Sequence, residues 1–292
     1  MKTTLKKAGT ICLAITGAIA FAGANVLAST VNVAPSGDIQ SAINSVAAAG
    51  GGTVNITSGT ATRSATLTMK SKVTVNGAGN PTTTLNAGGN FAMFVESADG
   101  MSNVGLQNIE LVGQGGTGSN TCCGYLIESL STSDSGISAN NVQLANFGGI
   151  ACEYKRCSSS SISSCNFHDS GTDLLSHNLY LRANSSVNVT GTSLNNSPYG
   201  CGYHEAGGSA NDSLTTCTLN NNGEDGANIQ DSPTGETLNG CTANGNRNAT
   251  SGRSDGIGIN AQSGSGTVEN CTATGNRVNY QVGSGYTQSN NH

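Results

Sequence analysis

The chain repeats two short patterns of alternating apolar and polar residues through its second half. Alternation with a period of two is typical of a β-strand that buries one face. The first pattern occurs at residues 177–182, 199–204, 225–230 and 255–260. The second occurs between and after them, at residues 214–219, 238–243 and 268–273. Because a two-strand unit recurs at intervals of roughly 20 to 30 residues, the sequence predicts a solenoid.

The spacing of the second pattern identifies the kind of solenoid. Its central buried positions are separated by 33, 23, 27, 25, 24 and 30 residues, in the order Ile109, Val142, Cys165, Thr192, Cys217, Cys241 and Cys271. Each interval matches one coil of a parallel β-helix with loops of varying length. A helical solenoid fits poorly because the region lacks a 3.6-residue period and is rich in Gly and Asn. Parallel crossovers are almost always right-handed, so we predict an all-β, single right-handed parallel β-helix.

A short helix is predicted to close the N-terminal end of this solenoid. Asp38 is a suitable N-cap residue, and an apolar stripe at helical spacing follows it. The stripe consists of Ile39, Ala42, Ile43 and Val46. We assign residues 29–283 to the β-helix and residues 284–292 to a polar tail.

The opening of the chain resembles that of the pectate-lyase-like superfamily of right-handed β-helix proteins. The resemblance rests on residues 38–44 (DIQSAIN), 50–54 (GGGTV) and 73–79 (VTVNGAG), and it continues through the coils to about residue 283. It implies the fold, but the fold hosts many activities, so the reaction must be argued from a site.

Residues 1–28 have the features of a secretory signal peptide. Lys2, Lys6 and Lys7 form a basic start, and an apolar run over residues 8–22 precedes small residues suited to cleavage, preferably after Ala28. No later apolar run is long enough to cross a membrane. We therefore expect a secreted protein without membrane contact.

The charge balance argues against a nucleic-acid partner. The chain has 12 basic and 17 acidic residues, and loss of the three leader lysines leaves 9 against 17, a net charge of −8. The remaining bases are clustered, with Lys155, Arg156 and Arg182 close in the coil register to His177 and His204. A local basic patch on an acidic protein suits a small anionic group better than a surface that coats a polyanion. Because the long, flat face of a β-helix suits an extended polymer, we expect the partner to be an extended acidic polysaccharide. We expect the protein to act as a monomer.

The cysteines are expected to fill structural roles. Cys217, Cys241 and Cys271 share one inward position and should form a stack of buried thiols. Cys122 with Cys123, and Cys152 with Cys157, are better placed for disulfides because they lie near loops. The chain contains no Cys-x2-Cys pair, so no metal site is predicted.

The first pattern can be aligned by its inward pairs, Tyr125/Ile127, Ile150/Cys152, Leu179/Leu181, Cys201/Tyr203, Ala227/Ile229 and Ile257/Ile259. One outward row then reads Glu128, Glu153, Arg182, His204, Gln230 and Asn260. The row beside it contains Tyr180 and Asn228, and the corner row contains His177, Tyr199, Asp225 and Asp255. Because neighbouring coils are about 4.8 Å apart, the His, Tyr and Arg residues should converge on one face.

This convergence suits cleavage of a uronic-acid polymer by β-elimination. The reaction needs a base for the C5 proton, a group that neutralises the carboxylate and an acid for the leaving oxygen. We assign His204 as the base, Tyr180 as the acid and Arg182, with Gln230 or Asn228, as the neutralising group. His177 completes the catalytic group. The other predicted substrate-binding residues are Asn260, Glu153, Lys155, Tyr199, Asp225 and Asp255.

The proposed set resembles the His/Tyr/Arg sites of β-helix alginate lyases and mannuronan C5-epimerases. The Asp-Pro-His motif of the epimerases is absent, which favours a lyase. The chemistry requires no cofactor, and calcium is left open as an accessory ion.

Two other functions remain open at this stage. Asp225 and Asp255 precede strands as in polygalacturonase-type glycoside hydrolases, where two carboxylates act as acid and base. The other motifs of that family are missing, and Asp-Gly is ordinary turn chemistry. A non-catalytic carbohydrate-binding or surface β-helix is the third reading.

Overall fold

The computed structural model describes residues 28–115, 123–246 and 256–292. The predicted signal peptide, except for Ala28, lies outside these ranges, as do Cys122 and Asp255. The elements are β1 (Ser29–Val33), α1 (Ile39–Ala48), β2 (Gly52–Ile56), β3 (Gly59–Arg63), β4 (Leu67–Thr68), β5 (Val73–Gly77), β6 (Thr83–Ala87), β7 (Phe94–Val95), β8 (Ser102–Val112), β9 (Tyr125–Glu128), β10 (Asp134–Ala145), β11 (Cys152–Lys155), β12 (Cys157–Ser163), β13 (Asn166–His168), β14 (Leu179–Arg182), β15 (Ser185–Thr190), β16 (Ser193–Asn195), β17 (Tyr203–Ala206), β18 (Ser213–Thr215), β19 (Ala227–Ile229), β20 (Thr234–Asn239), β21 (Ile257–Ala261), β22 (Ser265–Glu269), β23 (Val278–Val282) and β24 (Tyr286–Ser289).

Within the described ranges the strands form two parallel sheets. The larger has 15 strands, and its main path runs β1-β2-β5-β8-β10-β12-β15-β18-β20-β22-β24. The other has nine, in the order β4-β7-β9-β11-β14-β17-β19-β21-β23, and we call it the cleft sheet. Successive strands of each path are about one coil apart in sequence. This arrangement confirms the predicted all-β parallel solenoid.

The predicted register of the second pattern is confirmed in the larger sheet. Val142 pairs with Ile109, and the bridges Thr218 to Thr242 and Thr242 to Thr272 place the neighbouring cysteines one above another. Cys217, Cys241 and Cys271 are buried, and side-chain hydrogen bonds link Cys241 to both of the others. The thiols form the expected core stack.

The N-terminal helix also forms as predicted. Asp38 caps it, with Oδ1 accepting a hydrogen bond from Ser41 N at 2.9 Å. The four residues of the apolar stripe are buried and pack against the first strands of the solenoid. The helix thereby covers apolar side chains that the first coil would otherwise expose.

The predicted disulfide between Cys152 and Cys157 is wrong. Both cysteines are buried and free. The chain turns at Arg156, whose φ is 55°, so Cys152 lies in the cleft sheet and Cys157 begins a strand of the larger one. Burial raises the pKa of both thiols, which keeps them protonated.

The alignment predicted for the cleft sheet is wrong by two residues in three coils. Leu179, which starts β14, pairs with Cys152 on one side and Tyr203 on the other. The inward pairs of β11, β17 and β21 are therefore Cys152/Tyr154, Tyr203/Glu205 and Ile259/Ala261. A shift of two residues keeps every side chain on its predicted face, so the alternation cannot reveal it. The shift does change which outward side chains are neighbours.

The solenoid continues beyond its predicted boundary at residue 283. Tyr286–Ser289 forms β24, which pairs in parallel with β22. Tyr286 is buried, and its hydroxyl donates a hydrogen bond to the carbonyl of Ser263 at 3.2 Å. The segment expected to be a polar tail therefore contains a strand of the larger sheet.

None of the helices in the described ranges is long and apolar enough to cross a membrane.

A ladder of three asparagines, two buried and one half-buried, holds one corner of the solenoid. Asn222, Asn246 and Asn276 occupy the same corner in successive coils, and each side chain bonds to the next at 3.0–3.1 Å. Asn222 also accepts from Ser197 N at 2.9 Å and donates to the carbonyl of Leu194 at 3.1 Å. The amides thus satisfy backbone groups that the turn leaves without strand partners.

Replacing Asn222 by Ala should destabilise the fold by about 2–4 kcal/mol, because the buried groups of Ser197 and Leu194 lose their partners. Denaturant unfolding followed by circular dichroism measures the loss. Asn140→Ala is the matched control, since Asn140 is exposed and, among the described residues, its side chain bonds to Ser163 Oγ alone. The control should stay within about 0.5 kcal/mol of wild type. Equal losses in both variants would contradict a structural role for the ladder.

Candidate active site

A cleft of about 370 Å³ lies on the outward face of the cleft sheet. All four predicted catalytic residues line it, together with three of the predicted substrate-binding residues. Its lining consists of Glu128, Ile150, Glu153, Leu174, Leu175, His177, Tyr180, Arg182, His204, Glu224, Asn228 and Gln230. Strands supply half of these side chains, and the cleft sheet fixes the relative positions of that half.

The floor of the cleft is a single row of outward side chains, one from each coil. Glu153 pairs with Tyr180, Tyr180 with His204, and His204 with Asn228. Tyr180 is therefore the direct neighbour of His204, whereas the predicted alignment gave Arg182 that place. The Tyr180 and His204 ring centroids are 5.1 Å apart, with an edge-on angle of 69°. Arg182 lies two residues further along the strand, where it is exposed at the rim.

His177 supports this row from the corner of its coil. Its ring stacks on that of His204, with centroids 4.4 Å apart and planes 11° from parallel. Its Nδ1 accepts a hydrogen bond from the backbone N–H of Cys201 at 3.0 Å. Because Nδ1 is an acceptor, the neutral ring carries its proton on Nε2. The bond fixes both the tautomer and the plane against which His204 packs.

His204 is less basic than its sequence context indicates. Burial lowers its pKa to about 4, from a reference value of 6.5. Its Nδ1 is buried and has no hydrogen-bond partner. Its assignment as the base from sequence assumed the near-neutral pKa of an ordinary histidine, which burial removes. At neutral pH the ring is uncharged, with an unpaired nitrogen.

The pKa of Glu153, beside Tyr180, is raised, whereas that of His204 is lowered. Burial, followed by repulsion from Glu128, raises the pKa of its carboxyl to about 7. Burial likewise raises the pKa of the Tyr180 phenol, although Arg182 partly opposes the shift. Desolvation therefore favours the uncharged form of all three groups on the cleft floor.

Several predicted substrate-binding residues have other roles. Lys155 pairs with Glu128 and does not line the cleft. Asp225 is fully buried and accepts hydrogen bonds from Ile257 N at 2.7 Å and Asn260 Nδ2 at 2.9 Å. These bonds join two coils, so Asp225 and Asn260 are structural residues.

Tyr199, another predicted substrate-binding residue, is half-buried and does not line the cleft. Asp255 lies outside the described residues. With Asp225 buried and fully bonded, the hydrolase reading based on the pair of aspartates loses its first carboxylate. Asn228, Gln230 and Glu153 are the predicted substrate-binding residues that remain at the cleft.

A loop that the strand pattern does not single out forms one wall of the cleft. Leu174 and Leu175 line it, and the Leu175 side chain is 66% exposed. The loop is held by Asp173, whose Oδ1 accepts from Leu175 N at 2.9 Å and Ser176 Oγ at 2.7 Å. Two adjacent leucines in a polar loop were the available signal, because exposed apolar pairs often mark a binding surface.

Glu224 was also missed, because it precedes the strand and belongs to neither aligned row. It is buried, and its Oε2 lies 3.4 Å from Cys201 Sγ. Nothing in the strand pattern singles out such a residue.

The comparisons with known proteins identify the fold. No protein-family model and no curated protein match the chain. The pectate lyase Pel9A aligns with a TM-score of 0.51 and 14% identity, over 85% of this chain and 63% of the lyase. The chain has the pectate-lyase-like parallel β-helix fold.

Two further β-helix structures are similar. PfbA, a surface adhesin of Streptococcus pneumoniae, gives a TM-score of 0.62 at 11% identity, over 81% of this chain and 69% of the adhesin. The tailspike gp49 of Acinetobacter baumannii bacteriophage Fri1, a capsular polysaccharide depolymerase, gives 0.52 at 15% identity, over 80% of this chain. This chain spans 46% of the tailspike and 63% of Pel9A. At these identities the likeness concerns the β-helix alone.

A transition metal does not fit the group formed by His177, Cys201 and His204 at the cleft. Ligand atoms of His177, Cys201 and His204 lie within 4.8 Å of one another. However, Nδ1 of His177 already accepts from a backbone N–H, so its proton occupies Nε2, the nitrogen that remains for a metal. Burial also raises the pKa of the Cys201 thiol, whereas metal binding needs the thiolate. The donor set favours stacked neutral rings over coordination.

His204 should remain neutral to well below pH 6 in the folded protein. Its folded pKa is depressed relative to the unfolded value, so the stabilisation from neutral His204 is complete above about pH 6.5 and lost as pH falls through about 4. Histidine-selective NMR, with His204→Gln to assign the signal, measures the midpoint. The same variant should be less sensitive to acid unfolding over this window. A titration midpoint near 6.5 would contradict the burial of the ring.

Proposed function

We propose that this protein binds an extended uronic-acid polysaccharide in the cleft and cleaves it by β-elimination. The observation that carries the proposal is the direct pairing of Tyr180 with His204, whose rings lie 5.1 Å apart on the cleft floor. A base and an acid at that spacing can act on neighbouring atoms of one sugar ring. Arg182 and Asn228 lie on either side and can hold the carboxylate of the substrate.

His204 serves as the base in the proposed reaction. It takes the proton from C5 of the uronate, and the C–H electron pair becomes the C4=C5 double bond. The C4–O4 bond breaks with its electrons on O4, which receives the phenolic proton of Tyr180. Transfer of the C5 proton from His204 to the Tyr180 phenolate, directly or through solvent, restores the starting state.

The carboxylate of the substrate has to be neutralised for the C5 proton to become acidic. The Arg182 guanidinium can form a two-pronged contact with it at the cleft rim. Glu153, with a pKa of about 7, is partly protonated at neutral pH and can donate a further hydrogen bond. A bound carboxylate also favours protonation of the neighbouring His204, which offsets the effect of burial.

Leu174 and Leu175 are proposed to contact the apolar face of a sugar ring at the wall of the cleft. Named activities of β-helix neighbours agree with this substrate class, since Pel9A is a pectate lyase and gp49 a capsular polysaccharide depolymerase. The predicted signal peptide supports secretion of the protein, which would bring it into contact with extracellular polysaccharides. The mechanism requires no cofactor in the cleft.

A second candidate function is glycoside hydrolysis with Glu153 as the general acid. The raised pKa of this buried carboxyl is the property that a hydrolase acid needs near neutral pH. Its product would be a new reducing end without a double bond, so the two reactions are distinguishable.

Incubation of the full chain with alginate, polygalacturonate and other uronans tests the assignment through the ultraviolet absorbance of the unsaturated product. His204→Ala and Tyr180→Phe should each lower turnover by about 10²–10⁴-fold, because each removes a proton-transfer group. Arg182→Lys should raise KM and lower kcat through loss of the fork geometry. His168→Ala is the control, since His168 ends β13 in the larger sheet, does not line the cleft and pairs with Asp169.

Full activity in His204→Ala would refute the assigned base. New reducing ends without the absorbance, abolished by Glu153→Gln, would establish the hydrolase instead. Retained polysaccharide binding with neither product would identify a carbohydrate-binding protein.

A further inference from the structure

Three carboxylates face one another in the interior of the solenoid, behind the cleft sheet. Glu205 follows His204 on β17 but points inward, while Asp212 precedes β18 and Glu236 lies on β20. Asp212 and Glu236 are 24 residues apart, which is one coil, and Glu205 reaches them from the opposite sheet. Each of the three residues is 1% exposed.

One oxygen of each carboxylate has no hydrogen-bond partner. These atoms are Glu205 Oε1, Asp212 Oδ2 and Glu236 Oε1. Other oxygens of the group are engaged, since Glu205 Oε2 accepts from the Tyr203 hydroxyl at 2.7 Å and Asp212 Oδ1 from Val187 N at 2.8 Å. The backbone of Asp212 also donates to the Glu236 carboxyl. The carboxylates are thus held in place while their remaining oxygens lack a donor.

No basic side chain in the described ranges compensates this charge. The buried polar residues there include no Lys or Arg, and neither ion pair in those ranges involves the three carboxylates. Buried carboxylates without a counter-charge are strongly unfavourable unless a cation or protons neutralise them.

The geometry distinguishes a cation from shared protons. Ligand oxygens of the three residues all lie within 4.8 Å of one another, the span across an ion bound at about 2.4 Å. A proton can join the Glu205 and Glu236 carboxyls, which lie at hydrogen-bond distance from each other, but it leaves the third oxygen of the cluster, Asp212 Oδ2, without a partner. Glu96 and Asp134 form a contrasting pair elsewhere, in which one proton can satisfy both carboxyls.

We propose that Glu205, Asp212 and Glu236 bind one calcium ion inside the β-helix. An all-oxygen set with three carboxylates suits a hard divalent cation rather than zinc. The hydroxyls of Tyr203 and Ser209 lie beside the carboxylates and complete an oxygen-lined site. The ion would tie β17 of the cleft sheet to β20 of the larger sheet, directly behind His204. This site is independent of the proposed polysaccharide reaction.

The full chain, unfolded and refolded with or without chelator, provides the test at slightly alkaline pH. At free calcium about 100-fold above Kd, the thermal midpoint should rise by about 5–10 °C over the chelated protein. Elemental analysis should find close to one calcium per refolded chain. Terbium should bind in its place, and because the chain has no Trp, Tyr203 should sensitise the terbium emission.

Glu236→Gln and Asp212→Asn should each abolish the calcium-dependent shift and the terbium signal. Glu96→Gln, the matched control from the two-carboxyl pair, should retain both. Tyr203→Phe should reduce the sensitised emission while calcium continues to displace terbium, which locates the ion beside Tyr203. The proposal is overturned if wild type shows no calcium response and Glu236→Gln is as stable or more stable, since protons then suffice.

Discussion

In-register stacking of the coils is the constraint on which the rest of this structure depends. Each strand bonds to the equivalent strand one coil away, so paired strand positions lie over one another in successive coils while the loops vary in length. The cysteine stack and the Asn222 ladder are two results of that alignment. Corners that repeat in this way need left-handed backbone angles, which Asn108, Asn141 and Asn270 adopt with φ near 50°. The richness in Gly and Asn follows from this requirement.

The fold could be predicted because burial acts on every coil in the same way. The apolar stripe of the helix and the spacing from Ile109 to Cys271 were sufficient for the architecture and for one sheet. The cleft sheet was harder because Glu205 occupies an inward position, so the apolar pair appeared to be Cys201/Tyr203. Sequence alternation measures only which face a residue occupies, and a slip of two leaves the faces unchanged. The pairing of His204 with Tyr180 therefore cannot be read from the sequence and is seen only in the structure.

The residues of the cleft floor illustrate a second limit, which is that the sequence does not reveal how far each group is removed from solvent. A histidine, a tyrosine and a glutamate can be placed on one face from sequence, but their protonation depends on how deeply the neighbours bury them. Here desolvation moves the pKa of His204 down and that of Glu153 up, which leaves a cleft floor of mainly neutral groups with Arg182 at its rim. Asp225 was predicted from sequence to bind substrate, but its carboxylate is buried and accepts hydrogen bonds from the next coil.

The row Glu153, Tyr180, His204 and Asn228 draws one side chain from each of four coils. The side chains of the cleft floor therefore follow one another along the solenoid axis, with one residue from each coil. Duplication or loss of a single coil during evolution would shift part of this row by about 4.8 Å while leaving the interior packing intact. A β-helix can in this way lengthen its cleft, or increase the distance between an acid and a base, while its core packing stays the same.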